Sequence, residues 1–243
     1  EVDQKYNYEK MLQKGGMTMK ETLRLAPEIL ERYRKLDTTC VSDANDKLGL
    51  PACGLYHIRP AVPGRSCCGQ AFTVHYVPCG TVKGTVGDFL DDVEAGQVVV
   101  IDNGGRDYCT VWGDIMSLDA NLKGIAGTII DGVCRDLPAI ERIGYPIYAK
   151  GAYMVTGKDR VYVDAVECPV SVSGLQVNPG DLMMADDSGA VRIPLERALE
   201  VLEIAEGIAR TEAEIEALVT KGTPLKEARR MTGYHQLQTH KEA

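Results

Sequence analysis

The sequence predicts an α/β protein. In the middle third of the chain, β-forming segments alternate with helical ones, an order typical of a partly parallel sheet with helices packed on its faces. Short β segments follow Gly157, and a long amphipathic helix follows them. At 243 residues the chain is long enough to bury a substantial core.

The N-terminal part is predicted to be helical. Residues 20–36, KETLRLAPEILERYRKL, have the apolar spacing of an amphipathic helix, with Pro27 early in its main part. Residues 37–49 predict a second helix, whose N-cap is Asp37 or Thr38.

The middle and C-terminal parts supply the sheet and its covering helices. The sequence predicts strands at 70–77, 97–102, 126–131, 146–150, 161–166, 168–172 and 181–186, with a hairpin or bulged turn over 185–194. It predicts helices at 113–124, 137–144 and 195–222. From this order we expect three parts: an N-terminal extension and helix over 1–36, one main domain over 37–222, and a C-terminal helix with a polar tail over 223–243.

Composition excludes several classes of function. Lys and Arg number 27 and Asp and Glu 35, so the formal net charge of −8 argues against a nucleic-acid partner, which needs a basic face. No apolar run approaches the roughly 20 residues of a membrane span, and no secretory leader is evident. The eight cysteines include no C-x-x-C pair and predict reduced thiols in the cytoplasm. The four histidines lack the spacing of zinc ligands.

Two strand-to-helix junctions carry candidate functional residues. At the first, Gly113 and Asp114 begin a predicted helix, whose free N–H groups can hold a carboxylate or phosphate. At the second, Arg135 and Asp136 precede another helix. Each junction also has an ordinary structural explanation, because Asp114 and Asp136 can act as helix-capping acids and Arg135 can pair with Asp131.

The two junctions together favour a functional site. Asp114, Arg135 and Asp136 have the spacing D-x(20)-R-D, and two parallel strand–helix units would bring both junctions to one edge of the sheet. Carboxylate oxygens without His or Cys suit a hard cation such as Mg²⁺. The Arg guanidinium can bind a substrate carboxylate or an enolate oxygen. Such a set can bind and polarise a 2-oxo acid.

The motif and its surroundings resemble a known family. D-x(20)-R-D is the motif of the metal-dependent class II pyruvate aldolases of the 4-hydroxy-4-methyl-2-oxoglutarate / 4-carboxy-4-hydroxy-2-oxoadipate aldolase family, whose superfamily also holds the regulator of ribonuclease E activity. Further blocks that resemble the family, in family order, are IRPAVPGRSCCGQAFTV, GIAGTIIDGVCRDLPAIERIGYPIYAKG, VNPGDLMMADDSGAVRIP and EIAEGIARTEAEI. The resemblance covers about residues 37–220.

The resemblance implies a β/β/α swivelling domain that assembles into a homotrimer or homohexamer with active sites between subunits. It implies Asp136 as the direct metal ligand and Asp114 as the acid that holds water bound to the metal. Arg135 would contact the substrate and stabilise the pyruvate enolate, and the amides of Gly113, Asp114, Ile115 and Met116 would grip the pyruvyl carboxylate. The metal would be Mg²⁺, with Mn²⁺ and Co²⁺ as alternatives.

Glu212 matches, more loosely, a catalytic acid that a neighbouring subunit offers in the family. It lies on the apolar stripe of the last long helix, between Ile208 and Ile215. A carboxylate at this position ends a buried face or points into an interface. The alternative is a solvated Glu near the edge of the helix.

The implied reaction is retro-aldol cleavage of a 4-hydroxy-2-oxo dicarboxylic acid to pyruvate through a metal-stabilised enolate, accompanied by oxaloacetate decarboxylation. The loop over 77–92, VPCGTVKGTVGDFLDD, departs from the family pattern and points to a different distal part of the substrate or a different reaction of the same enolate. The alternatives are another oxo-acid lyase or tautomerase on the same fold, and a non-catalytic regulator that binds ribonuclease E.

Overall fold

The chain has a mixed α/β fold with helices at its N-terminal end and a long helix near its C-terminal end. The computed structural model describes residues 24–50, 53–81 and 83–234. The helices are α1 (Pro27–Tyr33), α2 (Thr38–Lys47), α3 (Asp114–Leu122), α4 (Leu137–Ile143), α5 (Ala198–Thr220) and α6 (Leu225–Thr232). Short 3₁₀ helices span Asp88–Asp92 and Leu195–Arg197.

Ten strands lie among the described residues. They are β1 (Arg59–Pro60), β2 (Cys67–Pro78), β3 (Val98–Thr110), β4 (Gly127–Cys134), β5 (Ile147–Ala152), β6 (Val161–Val166), β7 (Val170–Val172), β8 (Leu175–Val177), β9 (Leu182–Asp186) and β10 (Gly189–Ile193). Eight form one sheet in the order β1-β5-β4-β3-β2-β9-β10, with β6 also paired to β2. Strands β7 and β8 form a separate hairpin.

The centre of the large sheet is parallel, as the alternating order predicts. Strands β2, β3, β4 and β5 are parallel neighbours, while β1, β6, β9 and β10 pair antiparallel. Because β3 and β4 are adjacent and parallel, the segments that follow them leave the sheet at the same edge. This arrangement places the start of α3 beside the start of α4.

Apolar side chains fill both faces of the sheet. One face carries alternate residues of the central strands, such as Val99, Ile101 and Ile130, and packs against Trp112 and Tyr145. The other face carries the intervening residues, such as Val100 and Ile129, and packs against the β7–β8 hairpin. This alternation is the two-residue period of a strand. A third cluster joins α1, α2 and α5 to β9 and β10.

The second predicted helix is confirmed and the first is shorter than predicted. Asp37 is the N-cap of α2, and its carboxylate accepts a hydrogen bond from the Cys40 N–H at 2.7 Å. Residues 24–26 are not helical, so the part of the first prediction that precedes Pro27 is wrong where the structure describes it. Ala26 is extended at φ −59° and ψ 140°, because a residue before proline disfavours the helical conformation. Residues 20–23 lie outside the described residues.

Among the β segments that differ from the prediction are β3 and β8. Strand β3 continues past residue 102 to Thr110, and its register shifts between Asp102 and Arg106. Gly104 and Gly105, both at positive φ, form this irregularity, which a pattern of alternating apolar residues does not indicate. Strand β8 was not predicted. It returns from β7 through Ser173 and Gly174, both in the left-handed region, as a tight hairpin requires.

Among the described residues, none of the helices combines the length and the apolar character needed to cross a membrane. The division of the chain at residues 36 and 222 stays a prediction.

Candidate active site

The two predicted junctions meet at one edge of the sheet. The backbone N–H of Arg135 donates to the Trp112 carbonyl oxygen at 3.1 Å. The backbone N–H of Asp114 donates to Oδ2 of Asp136 at 3.3 Å. The structure therefore brings Asp114 together with the adjacent pair Arg135 and Asp136, although 20 residues separate Asp114 from Arg135 in the sequence.

The Asp136 side chain does not cap the helix that it precedes. Asp136 precedes α4, but its side chain makes no capping hydrogen bond to that helix. Instead Oδ2 lies 3.2 Å from Nε of Arg135 and accepts the Asp114 N–H across the junction. The backbone of Asp136 is left-handed, at φ 63°, a region that Asp adopts more readily than most residues with a Cβ.

The alternative pairing of Arg135 with Asp131 is wrong. Asp131 is buried on the other face of the sheet, where it pairs with Lys150 and accepts the Ser173 N–H at 3.1 Å. The Arg135 side chain remains 40% exposed beside Asp136 and faces the cavity.

Gly113 is required by a close approach rather than by its backbone angles. Its φ of −149° and ψ of −162° are extended and open to any residue. A Cβ at this position would lie 2.7 Å from Oδ2 of Asp136 and 3.2 Å from Nε of Arg135. Glycine therefore lets the Asp136 and Arg135 side chains lie directly against the backbone that precedes α3.

Asp114 is the first residue of α3, and its carboxylate is partly exposed. Its Oδ1 accepts the N–H of Ile115 at 2.8 Å. Two of the amides predicted to grip a substrate carboxylate, those of Asp114 and Ile115, thus donate to carboxylates of the protein itself. A substrate carboxylate would compete with these side chains for the two N–H groups. The binding of a substrate carboxylate by these amides stays a prediction.

Trp112 fixes the loop between β3 and α3. Its Nε1–H donates to Oγ of Ser117 at 2.8 Å, and the Ser117 hydroxyl donates to the Gly113 carbonyl oxygen at 2.8 Å. The indole ring stacks on Tyr145 with centroids 6.0 Å apart and 7° between the planes. The Tyr145 hydroxyl in turn lies 2.9 Å from Oγ1 of Thr128 on β4. Both junctions are therefore held by one buried set of rings and hydroxyls.

A cavity of about 100 Å³ opens at this junction. One wall is formed by Gly113, Asp114 and Arg135. Val86, Thr110, Val111, Trp112 and Thr156 also line it, beside the predicted Ile115 and Met116. No sequence motif predicted that these last five residues would line the site. The Trp-Gly pair at 112–113 was a usable signal, whereas residues 86 and 156 come from distant segments with no motif.

The residues of the site fit a hard divalent cation. Asp114 and Asp136 offer carboxylate oxygens, both partly exposed, and one oxygen of each accepts a backbone N–H at the start of α3. In the described part of the chain, no group of three or more His, Cys, Asp or Glu side chains could enclose a metal ion. Two acids without further protein ligands match Mg²⁺, which keeps several waters and binds through one or two carboxylates. They do not match a closed zinc site.

Glu212 lies away from this cavity within one chain. It is on α5, which packs against α2, and its Oε2 accepts a hydrogen bond from the Cys40 thiol at 3.3 Å. Burial, with the nearby carboxylates of Asp37 and Glu212, raises the pKa of the Cys40 thiol, so the group stays a protonated donor. A catalytic role for Glu212 requires a partner subunit and stays a prediction.

Comparison with known proteins identifies relatives. A family model described as RraA-like, Aldolase/RraA, matches residues 38–192. DlpA of Legionella pneumophila is 37% identical over 213 residues, which cover 86% of this chain but 34% of DlpA. The chain thus matches about one third of the length of that relative. A protein of Halalkalibacterium halodurans, provisionally named a 4-hydroxy-4-methyl-2-oxoglutarate aldolase, is 29% identical over 74% of this chain and 82% of its own length.

The fold recurs in a crystal structure of a protein from Pseudomonas syringae pv. tomato. The two chains are 40% identical and superpose with a TM-score of 0.80. The match covers 85% of this chain and 99% of the other.

Proposed function

The chain belongs to the RraA-like aldolase family, and from this premise we propose that it is a metal-dependent lyase that releases pyruvate from a 4-hydroxy-2-oxo acid. The observation that supports the proposal is the contact of Asp136 with the Asp114 N–H and with Arg135, beside a cavity that Asp114 and Arg135 line and Asp136 does not. The resemblance implies dicarboxylic substrates and accompanying decarboxylation of oxaloacetate.

Asp136 is the group that would bind Mg²⁺ directly and Asp114 the group that would hold a water bound to it; the ion, when bound, would supply Lewis-acid polarisation of the 2-oxo group. The Arg135 guanidinium, on the cavity wall, provides N–H donors to the oxygen on which negative charge develops as the enolate forms. Such donors lower the barrier because they are already in place before the reaction. The Asp114 carboxylate is the group of this wall that accepts the 4-hydroxyl proton, directly or through one water.

The experiment is pyruvate release coupled to lactate dehydrogenase. Oxaloacetate and 4-hydroxy-4-methyl-2-oxoglutarate are supplied separately, with Mg²⁺ and then with EDTA. We expect metal-dependent release that Asp136→Ala abolishes. A second assay is exchange of the methyl hydrogens of pyruvate in D₂O, which reports the enolate without any distal group. A folded chain that shows no exchange with Mg²⁺, Mn²⁺ or Co²⁺ would refute the proposal.

We also propose that the protein is a homo-oligomer, a trimer or hexamer, in which Glu212 reaches the cavity of a neighbouring subunit. Support comes from α3, where Ile115, Leu118 and Leu122 are 79%, 48% and 77% exposed at helical spacing. Light scattering measures the assembly. A monomer with full activity, or Glu212→Gln with unchanged kcat, would contradict this part of the proposal.

The family description includes RraA, so a protein-binding regulator is the second candidate. The exchange assay separates the two, since a pure binding protein leaves pyruvate unlabelled.

A further inference from the structure

The Asp136 carboxylate contacts two donors through one oxygen. Its Oδ2 accepts the backbone N–H of Asp114 at 3.3 Å and lies 3.2 Å from Nε of Arg135. Both groups lie against Gly113, where a Cβ would be 2.7 Å from Oδ2 and 3.2 Å from Nε. The carboxylate expected to bind a divalent cation is therefore paired, within the same chain, with the guanidinium expected to bind the substrate.

Arg135 connects this carboxylate to the cavity. Arg135 lines the cavity, whereas Asp136 does not. In the described part of the chain, the contact with Asp136 is the ion pair that the Arg135 guanidinium makes. Because one positive charge serves both places, Asp136 and an anion in the cavity compete for the same guanidinium.

The contact between Arg135 and Asp136 is one that can separate. The two side chains are 40% and 35% exposed. Ion pairs with this exposure contribute little to stability, because water solvates the separated charges well. The Arg135 backbone is held independently of the pair, since its N–H donates to the Trp112 carbonyl oxygen at 3.1 Å. The guanidinium can therefore leave Asp136 while the junction keeps its backbone contacts.

The guanidinium would leave Asp136 when a divalent cation binds there. Two positive groups that share one carboxylate lie close together and repel each other. The cation has the larger charge and prefers oxygen ligands, so Arg135 is the group that is displaced. Its N–H donors then become available beside the cavity, and a carboxylate or enolate oxygen is the type of group that such donors bind.

We propose that Arg135 exchanges partners as the site fills: it pairs with Asp136, leaves when a divalent cation binds there, and then binds the 2-oxo acid. The inference rests on the proposed function and adds an order to it, in which the cation binds before the substrate. Two reciprocal effects follow. Arg135 weakens cation binding when no substrate is present, and Asp136 weakens anion binding when no cation is present.

The first experiment measures Mn²⁺ binding to the full chain without substrate, from the free-ion signal in electron paramagnetic resonance. We expect Arg135→Gln to bind Mn²⁺ at least about fivefold more tightly than the wild type. Arg160→Gln is the matched control, because it removes the same charge from a residue whose Nη1 donates to the carbonyl oxygen of Thr156 in the cavity lining. An equal gain in both variants, or no gain in Arg135→Gln, overturns the inference.

The second experiment measures pyruvate binding in EDTA. The sequence has a single tryptophan, and Trp112 lines the cavity, so its fluorescence reports occupancy. Asp136→Asn should bind pyruvate at least about fivefold more tightly than the wild type, because the guanidinium no longer shares its charge with a carboxylate.

Asp114→Asn is the matched control for the pyruvate titration. Asp114 lines the same cavity, but in the described part of the chain the ion pair of Arg135 is with Asp136. A gain in Asp136→Asn that is no larger than the gain in Asp114→Asn overturns the inference, as does a lack of pyruvate binding to Asp136→Asn.

Mn²⁺ binding to Asp136→Asn separates this inference from the proposed function. If the wild type binds Mn²⁺ and Asp136→Asn does not, but Arg135→Gln shows no gain, the inference alone is wrong. If the wild type and Asp136→Asn bind Mn²⁺ equally tightly, or neither binds it, the proposed metal-dependent function is wrong and this inference with it.

Discussion

Replacing Gly113 by Ala gives the sharpest test of the active-site geometry. The added Cβ would lie 2.7 Å from Oδ2 of Asp136, about 0.7 Å short of the 3.4 Å at which ordinary contact begins. It would also crowd Nε of Arg135 at 3.2 Å. Both neighbours are side-chain atoms that can move, and the backbone at residue 113 is extended, so the fold has a ready way to accept the methyl group.

The cost should therefore appear in catalysis rather than in stability. Overpacking at a partly exposed site that can relax should cost about 1 kcal/mol of unfolding free energy. That corresponds to about 2–4 °C in Tm for a chain of this size. Relief of the clash displaces the predicted metal ligand and the predicted enolate-binding group. Since misplacement by about 1 Å can cost 10²-fold in rate, we expect kcat to fall by about 10- to 100-fold.

The assay is methyl-hydrogen exchange of pyruvate in D₂O, with Tm measured on the same samples. Gly54→Ala is the matched control, because no heavy atom lies within 4 Å of its added Cβ and its φ is not positive. The control should keep both rate and Tm. If Gly113→Ala keeps its exchange rate within twofold of the wild type, the reasoning that ties this glycine to the site is refuted.

Three further predictions concern the surroundings of the site. Trp112→Phe keeps a ring to stack on Tyr145 but removes the N–H that donates to Ser117. We expect kcat to fall about tenfold and the helical signal in circular dichroism to be retained. An unchanged kcat would show that the indole N–H does not position the loop. Asp131→Asn leaves Lys150 without its anion. The free energy of unfolding, measured with urea, should fall by about 2 kcal/mol, which is less than for a fully buried pair because Lys150 is partly exposed. A fall below about 0.5 kcal/mol would contradict this account. Burial raises the pKa of the Cys134 thiol to about 12. Iodoacetamide at pH 8 should therefore leave this residue unmodified in the folded protein, which mass spectrometry of its peptides measures. Rapid modification would contradict its burial.

The alternation of strand and helix determined the centre of the fold. Parallel β3 and β4 follow from their order in the chain, and adjacent parallel strands deliver their following segments to one edge. The meeting of Asp114 with Arg135 and Asp136 was therefore predictable from spacing. Local chemistry also determined the start of α2, because an Asp side chain can satisfy a free N–H at a helix N-terminus.

Local patterns did not determine how long β3 is or where β8 lies. Gly104 and Gly105 interrupt the alternation in β3 without ending it, since glycine adopts positive φ that lets a strand resume after an irregularity. The sequence did not indicate the ion-pair partner of Asp131 either. Arg135 and Lys150 both carry a positive charge, and the structure places Lys150 beside Asp131 and Arg135 beside Asp136.

The sequence by itself thus determined which residues converge at the edge of the sheet, because that depends on strand order and a short motif. Tertiary structure alone decided which distant segments line the cavity beside them. Val86 and Thr156 come from segments far apart in the chain, and their place in the cavity wall follows from the hydrogen bond of the Tyr76 hydroxyl to the Val86 carbonyl oxygen and from the β-bridge between Thr156 and Thr110. Contacts of this kind join distant segments through packing, which leaves no period or spacing in the sequence from which they could be read.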